Sequence, residues 1–305
     1  MVCHRALRTL LHSHTSDKAG REERTSMDLS VLMHPAPIVP RWEAEEALRI
    51  KETSGTKPLL FIDGDVINYR VTIAGEEAVD WGNDIWTLHS DSREAISRVI
   101  DCIEGLKETF EVKSDDDVII AASCPDRNLN WRLSFLPDYK YNRKSKRKPL
   151  SYSDVMSYLK AHYTFLVIPT MEADDVLGIL ATHPNIPRGI MCSNDKDMNT
   201  IPGRYYNIVT EETVFNAVED ADRHHAYQAL VGDAVDGYKG CPRIGKATAP
   251  KILSGVHGSE LWIKVREAFR KAHCEGNQFL ESAMVSRILR YGDYDFKAGE
   301  VRWRP

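Results

Sequence analysis

Nine acids stand in five short motifs. Asp63 lies in Phe-Ile-Asp-Gly-Asp, Asp126 in Pro-Asp-Arg, and Glu172, Asp174 and Asp175 in Met-Glu-Ala-Asp-Asp. Asp195 and Asp197 lie in Ser-Asn-Asp-Lys-Asp, and Asp233 and Asp236 in Gly-Asp-Ala-Val-Asp-Gly. Carboxylates gathered at one place repel strongly unless a countercharge joins them. Divalent cations are the usual answer, and an all-oxygen donor set suits Mg²⁺ or Mn²⁺. The acids exceed what one such ion takes, so two ions are expected. Two ions about 3.5–4 Å apart can activate a water and stabilise the leaving oxygen of a phosphodiester. The histidines offer no competing site: His224 and His225 form the one adjacent pair, and we read them as surface-lying.

Two further segments fit a phosphate-rich partner. From Tyr139 to Lys148 there are six basic residues and no acid: Lys140, Arg143, Lys144, Lys146, Arg147 and Lys148. Alone, such a run reads as a solvated face. Between metal-ligand candidates, and interleaved with Tyr139 and Tyr141, it reads better as phosphate contact with base stacking. The run from Gly240 to Ala249 is a glycine loop leading into a helix, where backbone N–H groups can bind phosphate, and a plain helix–turn–helix fits the residues equally well. It is not a Walker loop, because Gly245-Lys246 is followed by Ala247.

The elements that must position these residues are legible in outline. Four apolar runs, Leu59–Ile62, Val118–Ala122, Phe165–Ile168 and Gly189–Cys192, are each soon followed by an acid. They are too short for buried helices and read as buried strands. Between the first two, Ile96, Val99, Ile100, Ile103, Leu106 and Phe110 give Ser92–Glu111 a helical face. Further helices are expected at Ser153–His162, Asp174–Thr182, Asp222–Val231, Ala247–Leu253, Ser259–His273 and Gln278–Tyr291. The alternation predicts an α/β fold with a central, mostly parallel sheet flanked by helices. In such sheets ligands bind beyond the carboxyl ends of the strands, which is where these acids fall. We expect an α/β core over 58–220 and a helical C-terminal part over 221–305. Residues 1–57 read as a flexible extension, with a helical patch at 41–52; Asp17, Glu22 and Glu23 argue against a targeting peptide.

Composition sets the class. The chain of 305 residues is 42% hydrophobic, which excludes wholesale disorder, and no apolar run approaches a membrane span. Its six cysteines contain no Cys-x-x-Cys pair and suit a reducing cytoplasm. The net charge of −5 is no argument against nucleic acid: without the nine site acids the remainder stands at +4.

The order of these motifs resembles the 5′-nuclease (flap endonuclease) superfamily, and within it the 5′→3′ exonucleases of lytic tailed phages. The likeness runs from Pro58 to Pro305 and includes Ile-Leu-Arg-Tyr at 288–291 and Trp-Arg-Pro at 303–305. It implies that Asp63, Asp126, Glu172 and Asp174 bind a first metal, and that Asp195, Asp197, Asp233 and Asp236 complete a second. Asp175 would act through water. Lys140 and Arg143 would stabilise the scissile phosphate, and Arg132 would contact phosphate. Tyr69 would stack on a terminal base, although core packing on a helix fits it equally well. Arg70, Lys144, Lys146 and Arg147 join the DNA-binding set. The stretch 127–160 would form a helical arch. Residues 222–254 would form a helix–three-turn–helix that grips duplex through Gly240, Gly245, Lys246 and Thr248 and holds a K⁺ ion.

The expectation is a Mg²⁺-dependent 5′→3′ exonuclease using two Mg²⁺, with Mn²⁺ able to substitute. It would act as a monomer on double-stranded DNA with accessible 5′ ends, with flap cleavage and RNA–DNA hybrids as further substrates, in replication and recombination. No membrane partner is expected. Two other classes compete. An aspartyl-nucleophile phosphatase would use Asp63, and a non-catalytic DNA-structure binder would need only residues 232–254.

Overall fold

The computed structural model describes residues 58–143, 146–186, 189–274 and 276–305. The extension 1–57, its expected helix and Lys144 lie outside the described residues. The strands are β1 (Leu59–Asp63), β2 (Glu77–Asp80), β3 (Trp86–His89), β4 (Val118–Ala121), β5 (Thr164–Leu166), β6 (Gly189–Ser193), β7 (Gly203–Asn207), β8 (Glu212–Asn216), β9 (Tyr294–Asp295) and β10 (Glu300–Val301). The helices are α1 (Gly64–Ala74), α2 (Ser92–Thr109), α3 (Tyr152–His162), α4 (Ala173–Thr182), α5 (Val218–Val231), α6 (Ala249–Ile252), α7 (Ser259–Lys271) and α8 (Gln278–Val285).

Strand β1 is buried along its whole length and lies parallel between β4 and β6. A strand covered on both faces has no polar side to alternate with, which accounts for its unbroken apolar run. The sheet order is β5-β4-β1-β6-β7-β8, and every pair is parallel except β7–β8. Register sets Asp63 beside Ala121 and Ile62 beside Cys192, so the carboxyl ends of the three central strands open on one edge.

Helices α1, α2 and α3 bury Ile67 and Val71, Val99 and Ile103, and Val155 and Leu159 against Leu60, Ile62, Val118, Ile120 and Ile190. In each helix these residues recur at the spacing of one face. Helix α4 packs against β1, β4 and β6 and is buried almost all round. A second apolar cluster joins α5 through Ala226 and Leu230 to Ala249, Leu261, Val265 and Phe269 of the later helices.

Three elements differ from the expected ones. The stretch 127–151 holds no α-helix among its described residues; short 3₁₀ turns at Arg127–Leu129, Trp131–Ser134 and Tyr141–Arg143 replace the expected arch. Trp131, Arg132 and Tyr139 are buried, so contacts with the body of the protein set its path. The rest of the expected arch is α3, a core helix. Helix α8 ends at Val285, because the backbone beyond it is recruited by a buried ion pair described below. The strands β2 and β3 form an exposed hairpin that hydrophobic pattern did not reveal.

The core role of α3 has a measurable consequence. Leu159 is fully buried, so Leu159→Ala should lower unfolding stability by about 2–5 kcal/mol in a denaturant titration. A side chain on a projecting arch would lose almost nothing.

Candidate active site

Asp63 ends β1 and caps α1. Its Oδ1 accepts from Val66 N at 3.0 Å and its Oδ2 from the Ser193 hydroxyl at 2.9 Å. Burial, reinforced by the Asp65 charge, pushes this carboxyl up to about 7. Asp65 accepts from Ser123 N at 3.0 Å and from the Tyr152 hydroxyl at 2.7 Å.

The start of α4 brings Glu172 and Asp174 to the same edge. The Ala173 N–H donates to the Ser123 hydroxyl at 3.0 Å, tying α4 to the end of β4. Burial pushes the Asp174 carboxyl well above the usual range, with Asp63 and then Asp195 adding repulsion. Asp195 begins a 3₁₀ turn after β6 and accepts from Asp197 N at 2.9 Å. Burial and then the Asp195 charge push Asp197 up to about 7, although Gln228 Nε2 donates to it at 2.5 Å.

A second set of acids is held by cations. Glu172 accepts from Lys140 Nζ at 2.7 Å and from the Tyr139 hydroxyl at 3.0 Å. Burial opposes its charge, but Lys140 and Arg132 hold the carboxyl down at about 2. Asp236 accepts from Arg143 at 2.7 Å and lies 3.6 Å from Lys140 Nζ. Asp233 accepts from Lys196 at 2.8 Å, which keeps it below the usual range against its partial burial. Lys140 is fixed by its backbone as well: its φ is 53° and its N–H donates to Asp236 O at 2.9 Å. A left-handed lysine costs energy, and such strain persists only where the surroundings impose it.

Between the two sets is a cavity of about 10 Å³, room for a single water-sized species, with Glu172, Asp174, Asp197, Asp236 and Lys140 in its lining. Among the described residues no three His, Cys, Asp or Glu side chains already surround one point as a finished metal cage. The donor set nonetheless fits divalent ions. Asp63, Asp174, Asp195 and Asp197 are oxygen donors held against one another's charge, and a hard cation would relieve that repulsion.

Several expected site residues stand elsewhere. Asp126 is exposed and turns its carboxylate onto the Asn128 N–H and amide, both of which bond to Oδ1. The charge that acts most strongly on Asp63 belongs instead to Asp65, a neighbour the first motif already displayed. Asp175 is fully buried and accepts a bidentate Arg132 fork, so it is not placed as a metal ligand. Arg132 is 2% exposed; it lines the cavity, but its guanidinium is engaged by Asp175 and by the Val285 and Arg287 carbonyls. Arg147 is clasped by Glu76 through two 2.7 Å bonds, and Arg70 donates to Ile208 O at 2.8 Å. Lys146 is exposed. Tyr69 is 50% exposed, which removes the core-packing reading. The histidines are not both at the surface: His225 is buried and bonds to Ala283 O at 3.0 Å.

The glycine loop keeps its shape through a close approach. Gly232 and Gly240 both have positive φ, and a Cβ on either would sit about 2.4 Å from backbone of the other strand of the loop. Gly245, Lys246 and Thr248 are exposed. Helix α6 that follows has only four residues, and the Thr248 and Ala249 N–H groups both close on Gly245 O. Those two groups therefore do not supply the expected phosphate cradle. Neither Ser193, Tyr152 nor Gln228 is identifiable from sequence, because each acts across a long sequence separation; Tyr139, expected beside stacked bases, is buried and donates to Glu172 instead.

Comparison with known proteins places this geometry. The family model described as "5'-3' exonuclease, N-terminal resolvase-like domain" matches residues 58–228. An exonuclease of Escherichia phage T7 is 27% identical over 299 residues, covering 86% of this chain and 99% of the relative. An exodeoxyribonuclease of Enterobacteria phage T3 is 25% identical, covering 86% and 98%. Among solved structures, the T5 D15 protein co-crystallised with metal ions superposes with a TM-score of 0.56 at 15% identity, over 79% of this chain and 90% of that one. That likeness concerns the fold.

The raised carboxyls give the metal-free chain a pH signature. Asp63 and Asp197 titrate near 7 when folded and near 3.8 when unfolded, so the folded state holds more protons between those values. Stability must fall as pH rises through that window. The melting temperature in EDTA should therefore climb by several degrees from pH 8 to pH 6. Added Mn²⁺ should raise it more at pH 8 than at pH 5.5. A flat profile in calorimetry would show that these carboxyls are not held against one another.

Proposed function

The chain belongs to the 5'-3' exonuclease family, and from that premise we propose that it hydrolyses duplex DNA from 5′ ends with two divalent ions held at the Asp63–Asp174–Asp195 edge. It is a nuclease of the phage exonuclease and flap endonuclease kind. The observation that carries the metal reading is the division of the carboxylates. One set is neutralised by Lys140, Arg143 and Lys196, and the other is held in mutual repulsion beside a cavity the size of one small species. Crystals of the T5 protein with metal ions support that reading. A DNA complex of the T5 D15 flap endonuclease, with a TM-score of 0.54, supports a DNA substrate.

Bound there, Mg²⁺ or Mn²⁺ would lower the pKa of a water and offset charge on the phosphodiester. The rest falls to the protein's own side chains. Asp63 and Asp174 would hold one ion, with the charge of Asp65, itself held by the Tyr152 hydroxyl and the Ser123 N–H, acting on Asp63. Asp195 and Asp197 would hold the other, with Asp233 and Asp236 at its margin. Lys140 and Arg143 stand 2.7 Å from Glu172 and Asp236, respectively, and would meet a phosphate at this edge. Pre-placed donors of this kind act most strongly where charge develops in the transition state. Tyr69 offers a stacking face outside the edge. Lys146 and Lys246 extend the positive surface toward duplex phosphates. Flap cleavage, RNA–DNA hybrids as substrates, a K⁺ ion at the 232–248 loop and action as a monomer belong to the same reading.

Three substitutions test it on a duplex labelled at either end. Asp174→Asn or Asp195→Asn should reduce cleavage by at least about 10³ while leaving duplex affinity in EDTA within about threefold. Near-normal turnover in Mg²⁺ would sink the assignment. Lys140→Ala should lower kcat by about 10²–10³ with little change in KM. A change confined to KM would make Lys140 a general phosphate contact.

A further inference from the structure

The pair Arg132–Asp175 lies directly behind the carboxylate edge and is saturated on both sides. Asp175 Oδ1 accepts from Arg132 Nη2 at 2.7 Å and from Leu289 N at 3.1 Å. Its Oδ2 accepts from Arg132 Nη1 at 2.7 Å, Trp131 Nε1 at 3.0 Å and Glu172 N at 3.2 Å. Two carboxylate oxygens offer about four lone-pair sites, so five donors leave nothing for a metal. Arg132 is equally spent. Its Nε donates to Val285 O at 3.0 Å and its Nη2 to Arg287 O at 2.6 Å, while Nη1 lies 3.2 Å from Glu172 Oε2. Four of the five N–H donors of the guanidinium are thus hydrogen-bonded, and the ion pair with Glu172 is its remaining contact.

We infer that Arg132 and Asp175 are positioning residues that hold the start of α4 in register with the basic segment, and that neither touches metal or phosphate. The inference rests on the function proposed above. Three chain segments meet at the pair. Residues 131 and 132 begin the run that carries Lys140 and Arg143. The bond from Glu172 N to Asp175 fixes the first turn of α4, on which Asp174 sits between two held residues. Residues 285–289 close the third side. The pair therefore sets the spacing between the ion-binding carboxyl of Asp174 and the cations that face it. Its own distance from solvent explains why the spacing is rigid: a bidentate fork between two buried groups allows no alternative partner.

A buried ion pair can often be exchanged for apolar residues of similar volume, whereas removal of one partner strands a charge. The full-length double variant Arg132→Met/Asp175→Leu separates the roles. Three quantities are measured: melting temperature in EDTA, Mn²⁺ affinity by calorimetry without DNA, and kcat and KM on 5′-labelled duplex. The expected result is a double variant that melts well above the single variant Asp175→Leu and binds Mn²⁺ within about threefold of wild type. Its kcat should fall by about tenfold or more with KM within about threefold. Loss of Mn²⁺ affinity by tenfold or more would make Asp175 a ligand and overturn the inference. Unchanged kcat in the folded double variant would overturn it too, leaving a purely structural pair. If the double variant does not fold, Trp131→Phe removes one N–H from Asp175 and keeps the ring. A lower kcat at unchanged Mn²⁺ affinity then supports the inference, and lost affinity or unchanged kcat refutes it. A wild-type chain that binds no Mn²⁺ overturns the proposed function itself, and this inference with it.

Discussion

Like charge forced together at one sheet edge is the constraint on which the rest of this protein depends. Asp63, Asp174 and Asp195 come from the end of β1, the start of α4 and the turn after β6; burial and then the charges of Asp65 and Asp195 act on Asp63, and burial and then the charges of Asp63 and Asp195 act on Asp174. A fold gains nothing in stability from such an arrangement, since every ionised pair raises the energy of the native state. Parallel strands make it geometrically simple, because β1, β4 and β6 all end on the same side. The apolar side chains of the two clusters supply the stability that this edge takes away.

The protein answers the repulsion locally. Lys140 pairs with Glu172 and Asp236, Arg143 with Asp236, and Lys196 with Asp233. What remains is a short row of acids that make no direct ion pair among the described residues, although Lys140 acts on Asp174 and Lys196 on Asp197 from farther off. The same side chains thus divide into a neutralised rim and an unbalanced centre. This division, more than the total number of acids, is what gives the site its chemical direction.

Much of this was legible in the sequence, and the boundary of legibility is physical. Leu59–Ile62 and Val118–Ala121 could be read as buried strands because both faces are covered and the signal is local. The helical face of α2 could be read because Val99, Ile103 and Leu106 recur with its own period. The acids could be grouped because each follows a strand or opens a helix. What failed was pairing at long range. Asp175 looks like its neighbour Asp174 in sequence, and only Arg132, 43 residues earlier, assigns it another role. Arg132 looks like a surface cation until three segments close around it. Helix α8 carries helical pattern past Val285, but its expected continuation is spent on Arg132 and Asp175. The hairpin β2–β3 escapes the hydrophobic reading because it buries so little.

The seam formed by Val285, Arg287 and Leu289 also bears on how the chain comes into being. Arg132 Nε waits for a carbonyl 153 residues later, and Asp175 waits for an amide 114 residues later. A polypeptide still on the ribosome carries every acid of the edge long before it carries the backbone that locks α4. Until residue 289 has emerged, Arg132 and Asp175 lack part of the shell that makes their burial tolerable. The start of α4 therefore lacks its full lock until the chain has been made through residue 289, although every acid of the edge precedes that point.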